Sequence, residues 1–289
     1  MKGIVLAGGS GTRLWPVTKG VSKQLLPVYD KPLIYYPIAT LMLAGIRDIL
    51  IITTPKDSVN FRELLGDGEK FGIHLEFATQ EFPNGIAEAF IIGEEFIDNQ
   101  NVALILGDNI FHGWGLGRQL QQFTGVSGAQ IFCYPVLDPK RYGILEFGEG
   151  DQIRAIEEKP NNPKSNLAIA GLYFYDTQVC EFAKALRPSA RGELEITSIN
   201  QMYLDLNKLY ATRLERGTVW LDTGTPESLF AASSYVKVIE ERQGLKIACL
   251  EEIAWKKGWL DNEKLTDIAK QYRGSEYGHY LELLITSNQ

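Results

Sequence analysis

"LAGGSGTRLWPVTKGVSKQLLPV", Leu6–Val28, follows directly on the apolar run "GIV", and its reading decides how the rest of the chain is understood. A glycine-rich turn at a strand end lets backbone N–H groups approach an anion, because no Cβ holds the ligand away. The familiar forms of that device do not fit. The Walker loop G-x-x-x-x-G-K-[ST] needs lysine and a hydroxyl residue after its last glycine, whereas Gly3 through Gly8 is followed by Gly9 and Ser10. The dinucleotide fingerprint G-x-G-x-x-G matches Gly9 and Gly11 but meets Leu14 at its third glycine, and Pro16 stands where a helix should be under way. A nucleophile elbow G-x-S-x-G would use Gly8 and Ser10 but meets Thr12. What remains is a loop whose amides can surround an anion, with Arg13 and Lys23 supplying charge on either side of a bend at Pro16. The competing reading is a tight turn with two solvated basic residues.

Outward from that loop, short runs of strand type alternate with helical stretches through the first half of the chain. "GIVLA", "DILIIT", "HLEFAT" and "VALIL" are separated by "IYYPIATLMLAG", "SVNFRELLG" and "GIAEAFIIGEEFI". This alternation predicts an α/β fold whose central sheet is mainly parallel and covered by helices. From about residue 129 the strands "AQIFCYPV", "YGILEF" and "QIRAIEEK" come closer together, predicting a small β-rich subregion, before "AIAGLYFYD" returns as a core strand. After "TVWLDTGTP" the pattern is helical to the end, with "ESLFAASSYVKVIEERQ" the clearest amphipathic segment. Residues 1–225 are therefore expected to form the core and 226–289 a helical extension packed on it, within one structural domain.

Composition removes several classes of function. With 289 residues, 45% hydrophobic and a formal charge of -7, the chain lacks the basic excess that non-specific nucleic-acid binding requires. No signal-type apolar run follows the N-terminus and no segment reaches the length of a membrane span, so the cytoplasm is the expected location and no membrane partner is expected. Cys133, Cys180 and Cys249 are widely spaced in apolar sequence and read as reduced core thiols, and His74, His112 and His279 form no ligand motif. The chemistry must rest on carboxylates, lysines and arginines.

Two aspartates stand out by position. Asp108 lies just after "VALILG" and Asp222 just after "TVWL", so both are expected at strand ends on the ligand-facing edge of the sheet. Two such carboxylates suit a magnesium ion that completes its shell with phosphate oxygens and water. Taken singly, each would instead read as a turn residue or a helix cap.

The segments "LAGGSGTRL", "SKQLLPV", "LGDNIF", "RYGILEF", "EEKP", "GLYFYD", "RGELEIT" and "WLDTGT", in this order and over almost the whole chain, resemble the motif series of the sugar-nucleotide pyrophosphorylases. The wording "YDKPLIYYPI", the compact length and the lack of a C-terminal β-helix are most similar to the branch that joins dTTP to glucose 1-phosphate. That resemblance implies a Rossmann-like nucleotidyltransferase core whose β-rich subregion binds the sugar. It implies Mg2+ on Asp108 and Asp222, and Arg13 and Lys23 as the catalytic cations. It places Gly8, Gly9, Gly11, Thr12, Arg13, Lys23, Gln24, Gln80, Gly85 and Asp108 at the nucleotide. Asn109, Gly143, Glu158, Lys159, Ile169 and Tyr173 fall at the sugar phosphate, with Trp220 either a pocket wall or simple packing. It further implies a homotetramer and a regulatory site for a dTDP-sugar such as dTDP-rhamnose, involving Gly113, Arg216 and Glu252. Departures from the pattern are Trp15 for tyrosine, Glu88 for glutamine, His112 for tyrosine and Lys256 for arginine. The alternatives are a UTP-using or dual-specificity enzyme, a non-catalytic nucleotide-sugar sensor, and a Rossmann oxidoreductase. A sensor would be expected to lack one of Arg13, Lys23, Asp108 or Asp222, and all four are present.

Overall fold

In the computed structural model, which describes residues 1–9 and 11–286, the apolar runs become strands buried on both faces. β1 (Lys2–Ala7) is followed by a separate hairpin of β2 (Pro27–Val28) and β3 (Lys31–Pro32), then by β4 (Asp48–Thr53), β5 (His74–Thr79) and β6 (Val102–Leu106). β6, β1, β4 and β5 lie side by side and parallel, with Gly3 opposite Ile49 and Ala103, and Asp48 opposite His74. Successive side chains of a strand face opposite ways. Val5, Ile49, Ile51, Ala103 and Ile105 accordingly join one hydrophobic cluster, while Ile4, Leu50, Ile52, Val102 and Leu104 join another. A strand that must satisfy two cores reads as an unbroken apolar run.

The second half adds β7 (Asn109–His112), β8 (Ala129–Pro135), β9 (Gly143–Phe147), β10 (Ile153–Glu158), β11 (Leu167–Tyr175), β12 (Leu209–Arg213) and β13 (Val219–Asp222). β11 runs antiparallel to β6, pairs with both β8 and β9, and so joins the parallel strands to the β9–β10 hairpin in one nine-stranded sheet. β12 adds to β8 in parallel. β7 and β13 form a two-stranded ribbon of their own, in which Asp222 lies opposite Asn109. The second aspartate therefore arrives on this ribbon, not on an edge of the main sheet.

Helices cover both faces. α1 (Tyr35–Leu43), α2 (Ser58–Leu65), α5 (Leu116–Gln121), α9 (Leu250–Lys256), α10 (Asn262–Gln271) and α11 (Glu276–Thr286) contribute to the first cluster. α3 (Glu88–Ile92), α4 (Glu94–Ile97), α6 (Val179–Ala185) and α7 (Ile196–Asp205) contribute to the second. "GIAEAFIIGEEFI" reads as one helix but forms two, broken at Gly93, where a Cβ would lie 3.0 Å from Ala89 O and 3.1 Å from Ile4 Cδ1. α8 (Pro226–Gln243) opens on a reciprocal capping box in which Thr225 Oγ1 accepts from Ser228 N at 3.2 Å. Thr225, not Asp222, therefore caps this helix. Ala232 and Val236 of α8 pack against Val28, Leu33, Tyr36 and Ile110. Among the described residues no helix is long and apolar enough to cross a membrane, and the three cysteines are free and buried.

Candidate functional site

The loop after β1 opens into a cavity of about 300 Å³. Gly8, Gly9, Gly11, Thr12, Arg13, Lys23, Gln24, Gln80, Gly85 and Asp108 all line it, with Leu6, Leu14, Pro83, Ile86 and Leu106 as apolar walls and Glu193 at its border. Ser10 lies outside the described residues. The chain runs from the loop into two single 3-10 turns, Thr12–Leu14 and Val17–Lys19, in place of the helix that a dinucleotide fingerprint would require. Gly11 has a φ of +61°, and Thr18 Oγ1 donates to its carbonyl at 2.7 Å, fixing the first turn against the second.

Gln80 approaches the same loop from the end of β5. A Cβ on Gly8 would fall 2.9 Å from Gln80 Oε1, so glycine is what permits this approach. Gln80 Nε2 donates to Gly85 O at 3.1 Å and to Glu88 Oε2 at 2.7 Å, and Asn84 Nδ2 donates to Glu88 Oε1 at 2.8 Å. Glu88, noted in the sequence only as a departure from the family pattern, is thus the group that orients Gln80.

A second cavity, of about 360 Å³, adjoins the first and shares Arg13, Ile86, Leu106 and Asp108 with it. Asn109, Gly143, Glu158, Lys159, Ile169 and Tyr173 line this one, together with Asp222 and Trp220. Trp220 is both wall and support: its Nε1 donates to Asn109 Oδ1 at 2.6 Å, where Gly171 N also donates at 3.2 Å. Asn109 Nδ2 then donates to Asp108 Oδ1 at 2.8 Å. Glu158, at the end of β10, accepts from Thr197 Oγ1 at 2.5 Å and from Arg191 Nη2 at 3.3 Å, with Lys159 Nζ 3.6 Å away. Tyr173 is buried with its ring parallel to that of Tyr175, so it serves core and cavity together.

The common wall carries the strongest charges. Lys23, buried in its own 3-10 turn, pairs with Asp108. Burial pushes the Asp108 carboxyl up, but the Lys23 charge and hydrogen bonds from Lys23 and Asn109 outweigh it and hold the group below the ordinary 3.8. Asp222 goes the other way: burial and then the nearby Asp108 charge raise it, against the pull of Lys23, Arg141 and Arg13. Asp222 Oδ2 accepts from Arg141 Nη2 at 3.0 Å and from the Tyr142 hydroxyl at 3.3 Å. At Gly224 a Cβ would fall 2.9 Å from Asp222 Oδ1 and 3.1 Å from Arg13 Nη2, so both groups crowd this peptide. Two carboxylates and several cations at the junction of two cavities can align two anionic ligands and stabilise charge moving between them.

Sequence reading missed Arg141, Tyr142, Thr197 and Arg191. All four sit in segments already singled out, "RYGILEF" and "RGELEIT", where the basic Arg141 and Arg191 were an available signal and Tyr142 and Thr197 were not. Gly113, Arg216 and Glu252 line neither cavity. Gly113 follows β7 and packs closely on Thr218, Arg216 lies in the turn between β12 and β13, and Glu252 is buried in α9, accepting from Lys256 Nζ at 2.6 Å and Tyr280 OH at 2.7 Å.

Residues 2–238 match the family model described as nucleotidyl transferase. Over 286 residues, 99% of each chain, the protein is 58% identical to a glucose-1-phosphate thymidylyltransferase of Neisseria meningitidis serogroup A. It is 55% identical over 288 residues, 100% of each chain, to the enzyme of that name from Mycobacterium tuberculosis H37Rv. Among solved structures, it is similar to a Bacillus anthracis protein ascribed to glucose-1-phosphate thymidylyltransferase and holding sucrose. That match has a TM-score of 0.76 and 41% identity, covering 81% of this chain and 94% of the other. A UDP-glucose pyrophosphorylase bound to UDP-glucose shares the fold, with a TM-score of 0.73 at 24% identity over 82% of this chain and 98% of that one.

Proposed function

The chain belongs to the nucleotidyl transferase family, is a sugar-phosphate nucleotidyltransferase, and, we propose, makes dTDP-glucose and pyrophosphate from dTTP and glucose 1-phosphate. The observation that carries this reading is the junction of the two cavities at Arg13 and Asp108, where one ligand in each would meet. A phosphate oxygen of glucose 1-phosphate attacks the α-phosphorus of dTTP in line. The bond from that phosphorus to the bridging oxygen breaks, and its electron pair leaves with pyrophosphate. No covalent enzyme intermediate is needed, so the protein's work is alignment and electrostatics. The backbone at Gly8, Gly9, Gly11 and Thr12 holds the triphosphate together with Arg13, Lys23 offsets charge at the reacting phosphoryl groups, and Lys159 binds the acceptor phosphate. Gln80, oriented by Glu88, reads the pyrimidine edge, and Glu158 accepts from sugar hydroxyls.

The donor set at the junction fits a hard divalent ion. Asp108 and Asp222 offer only oxygen ligands, and no group of three or more His, Cys, Asp or Glu side chains among the described residues could hold a metal alone, which leaves the rest of the shell to phosphates and water. Mg2+ bound there would neutralise charge on the α-phosphate and the departing pyrophosphate. A homotetramer, a cytoplasmic location and a dTDP-sugar feedback site near Gly113, Arg216 and Glu252 complete the proposal. Equal product formation with and without dTDP-rhamnose at subsaturating substrate would remove the feedback part.

The test is a pyrophosphate-release assay with Mg2+ over a matrix of nucleoside triphosphates and sugar 1-phosphates. dTTP with glucose 1-phosphate is expected to be among the best pairs. A clear preference for UTP would transfer the protein to the uridylyl branch, and no release with any pair would leave only a binding protein.

A further inference from the structure

Arg141 enters the site from the 3-10 turn Pro139–Arg141, just ahead of β9, with its guanidinium 5.4 Å from the centroid of the Tyr142 ring. Through it, each carboxylate at the junction is held by a cation of the chain itself: Asp108 by Lys23, and Asp222 by Arg141. These two cations are not equivalent. The Lys23 side chain is 7% exposed and locked in a buried turn, whereas that of Arg141 is 36% exposed at the end of a surface turn. The Lys23 side chain is enclosed by protein and has no solvent to move into, whereas Arg141 has open space in which to swing on its stem. A guanidinium is always charged, and its planar donors suit a phosphate as well as a carboxylate. The cavity it lines is also the one lined by Glu158, Lys159 and Tyr173.

We infer that Arg141 is an exchangeable counter-ion. It neutralises Asp222 while no divalent cation is present, competes with such a cation for that carboxylate, and when displaced turns to the phosphate of the acceptor in the same cavity. The identity of that acceptor rests on the function proposed above; the competition for Asp222 does not. Because one exchange serves both events, binding of the metal and of the acceptor phosphate are coupled, each favouring the other.

The competition is tested without turnover, by titrating the substrate-free protein with Mn2+ and following free Mn2+ by electron paramagnetic resonance. Loss of a partly exposed ion pair should tighten Mn2+ binding about fivefold in Arg141→Gln. Arg141→Met keeps the aliphatic stem over Tyr142 and should give the same result if the glutamine variant does not fold. Arg154→Gln removes an exposed positive charge that pairs with Glu146, and should leave Mn2+ affinity near wild type. The gain should disappear when Arg141→Gln is combined with Asp222→Asn. In the acceptor half, Arg141→Gln should raise the KM for glucose 1-phosphate about tenfold. Unchanged or weaker Mn2+ binding in both Arg141 variants overturns the inference even if the wild type is fully active. Tighter binding in a protein that releases no pyrophosphate with any substrate pair supports the exchange while removing the functional reading.

Discussion

Thr223 clasps the Asp108 peptide: its N–H donates to Asp108 O at 3.1 Å and its hydroxyl donates to the same oxygen at 2.8 Å. This double bond pattern joins the residue after β13 to the residue that precedes β7, and so sets Asp222 relative to Asp108. Thr223→Val keeps the shape and deletes the hydroxyl, which is expected to cost about 1 kcal/mol of stability. Turnover should fall about tenfold, because small misplacement of catalytic groups is expensive. Urea unfolding and kcat check the two effects. Lost stability with unchanged kcat would make the clasp structural only.

The two carboxylates should respond to neutralisation with opposite signs. Asp108 has its folded pKa held below 3.8, so its ionised form contributes stability above that value, lost as pH falls through the folded pKa. Asp222 has its folded pKa raised, so its ionisation costs stability as pH rises from 3.8 through the folded value. In metal-free protein at neutral pH, Asp108→Asn should lower the melting temperature and Asp222→Asn should raise it. Calorimetry with a chelator present decides this; a fall in both variants would contradict the charge balance described.

Gly85 has a φ of +113°, and a Cβ there would fall 2.5 Å from Leu194 N. Gly85→Ala therefore meets both backbone strain and a clash with a segment that is bonded on both sides, through Leu194 N to Asn84 O and Ala87 N to Leu194 O. A loss of at least about 2 kcal/mol is expected, measured by denaturant midpoint. Near-wild-type stability would mean that the 82–88 loop is not held as described.

Much of this site was open to sequence reading because most of the residues that line its two cavities sit on short, unbroken motifs. Gly8, Arg13, Lys23, Asp108 and Asp222 are of that kind. What remained hidden depends on three-dimensional pairing. Nothing in "TVWLDTGTP" says that β13 pairs with β7 instead of joining the main sheet, and nothing in a lone Glu88 says that it holds Gln80. Likewise β11 is visible as an apolar strand, but its antiparallel direction follows from the reversal at the β9–β10 hairpin, since β10 and β11 both run antiparallel to β9, and apolar patterning does not record this.

Glu158 accepts from Thr197 and Arg191 beside Lys159, and lines the second cavity but not the first. Glu158→Gln should raise the KM for glucose 1-phosphate about tenfold, since a charged acceptor becomes a neutral one, and should leave the KM for dTTP near wild type. Initial-rate kinetics with each substrate varied separately check this. A matching rise for dTTP would place Glu158 in the nucleotide site instead.

In the proposed reaction, transfer occurs at the α-phosphorus, where the two cavities meet on Asp108. Parallel reactions with Mg2+, glucose 1-phosphate and dTTP labelled with 32P at either the α or the γ position test it most directly. The α label is expected in dTDP-glucose and the γ label in pyrophosphate, with Asp108→Asn reducing both. A γ label recovered in the sugar product or as free orthophosphate would contradict the account.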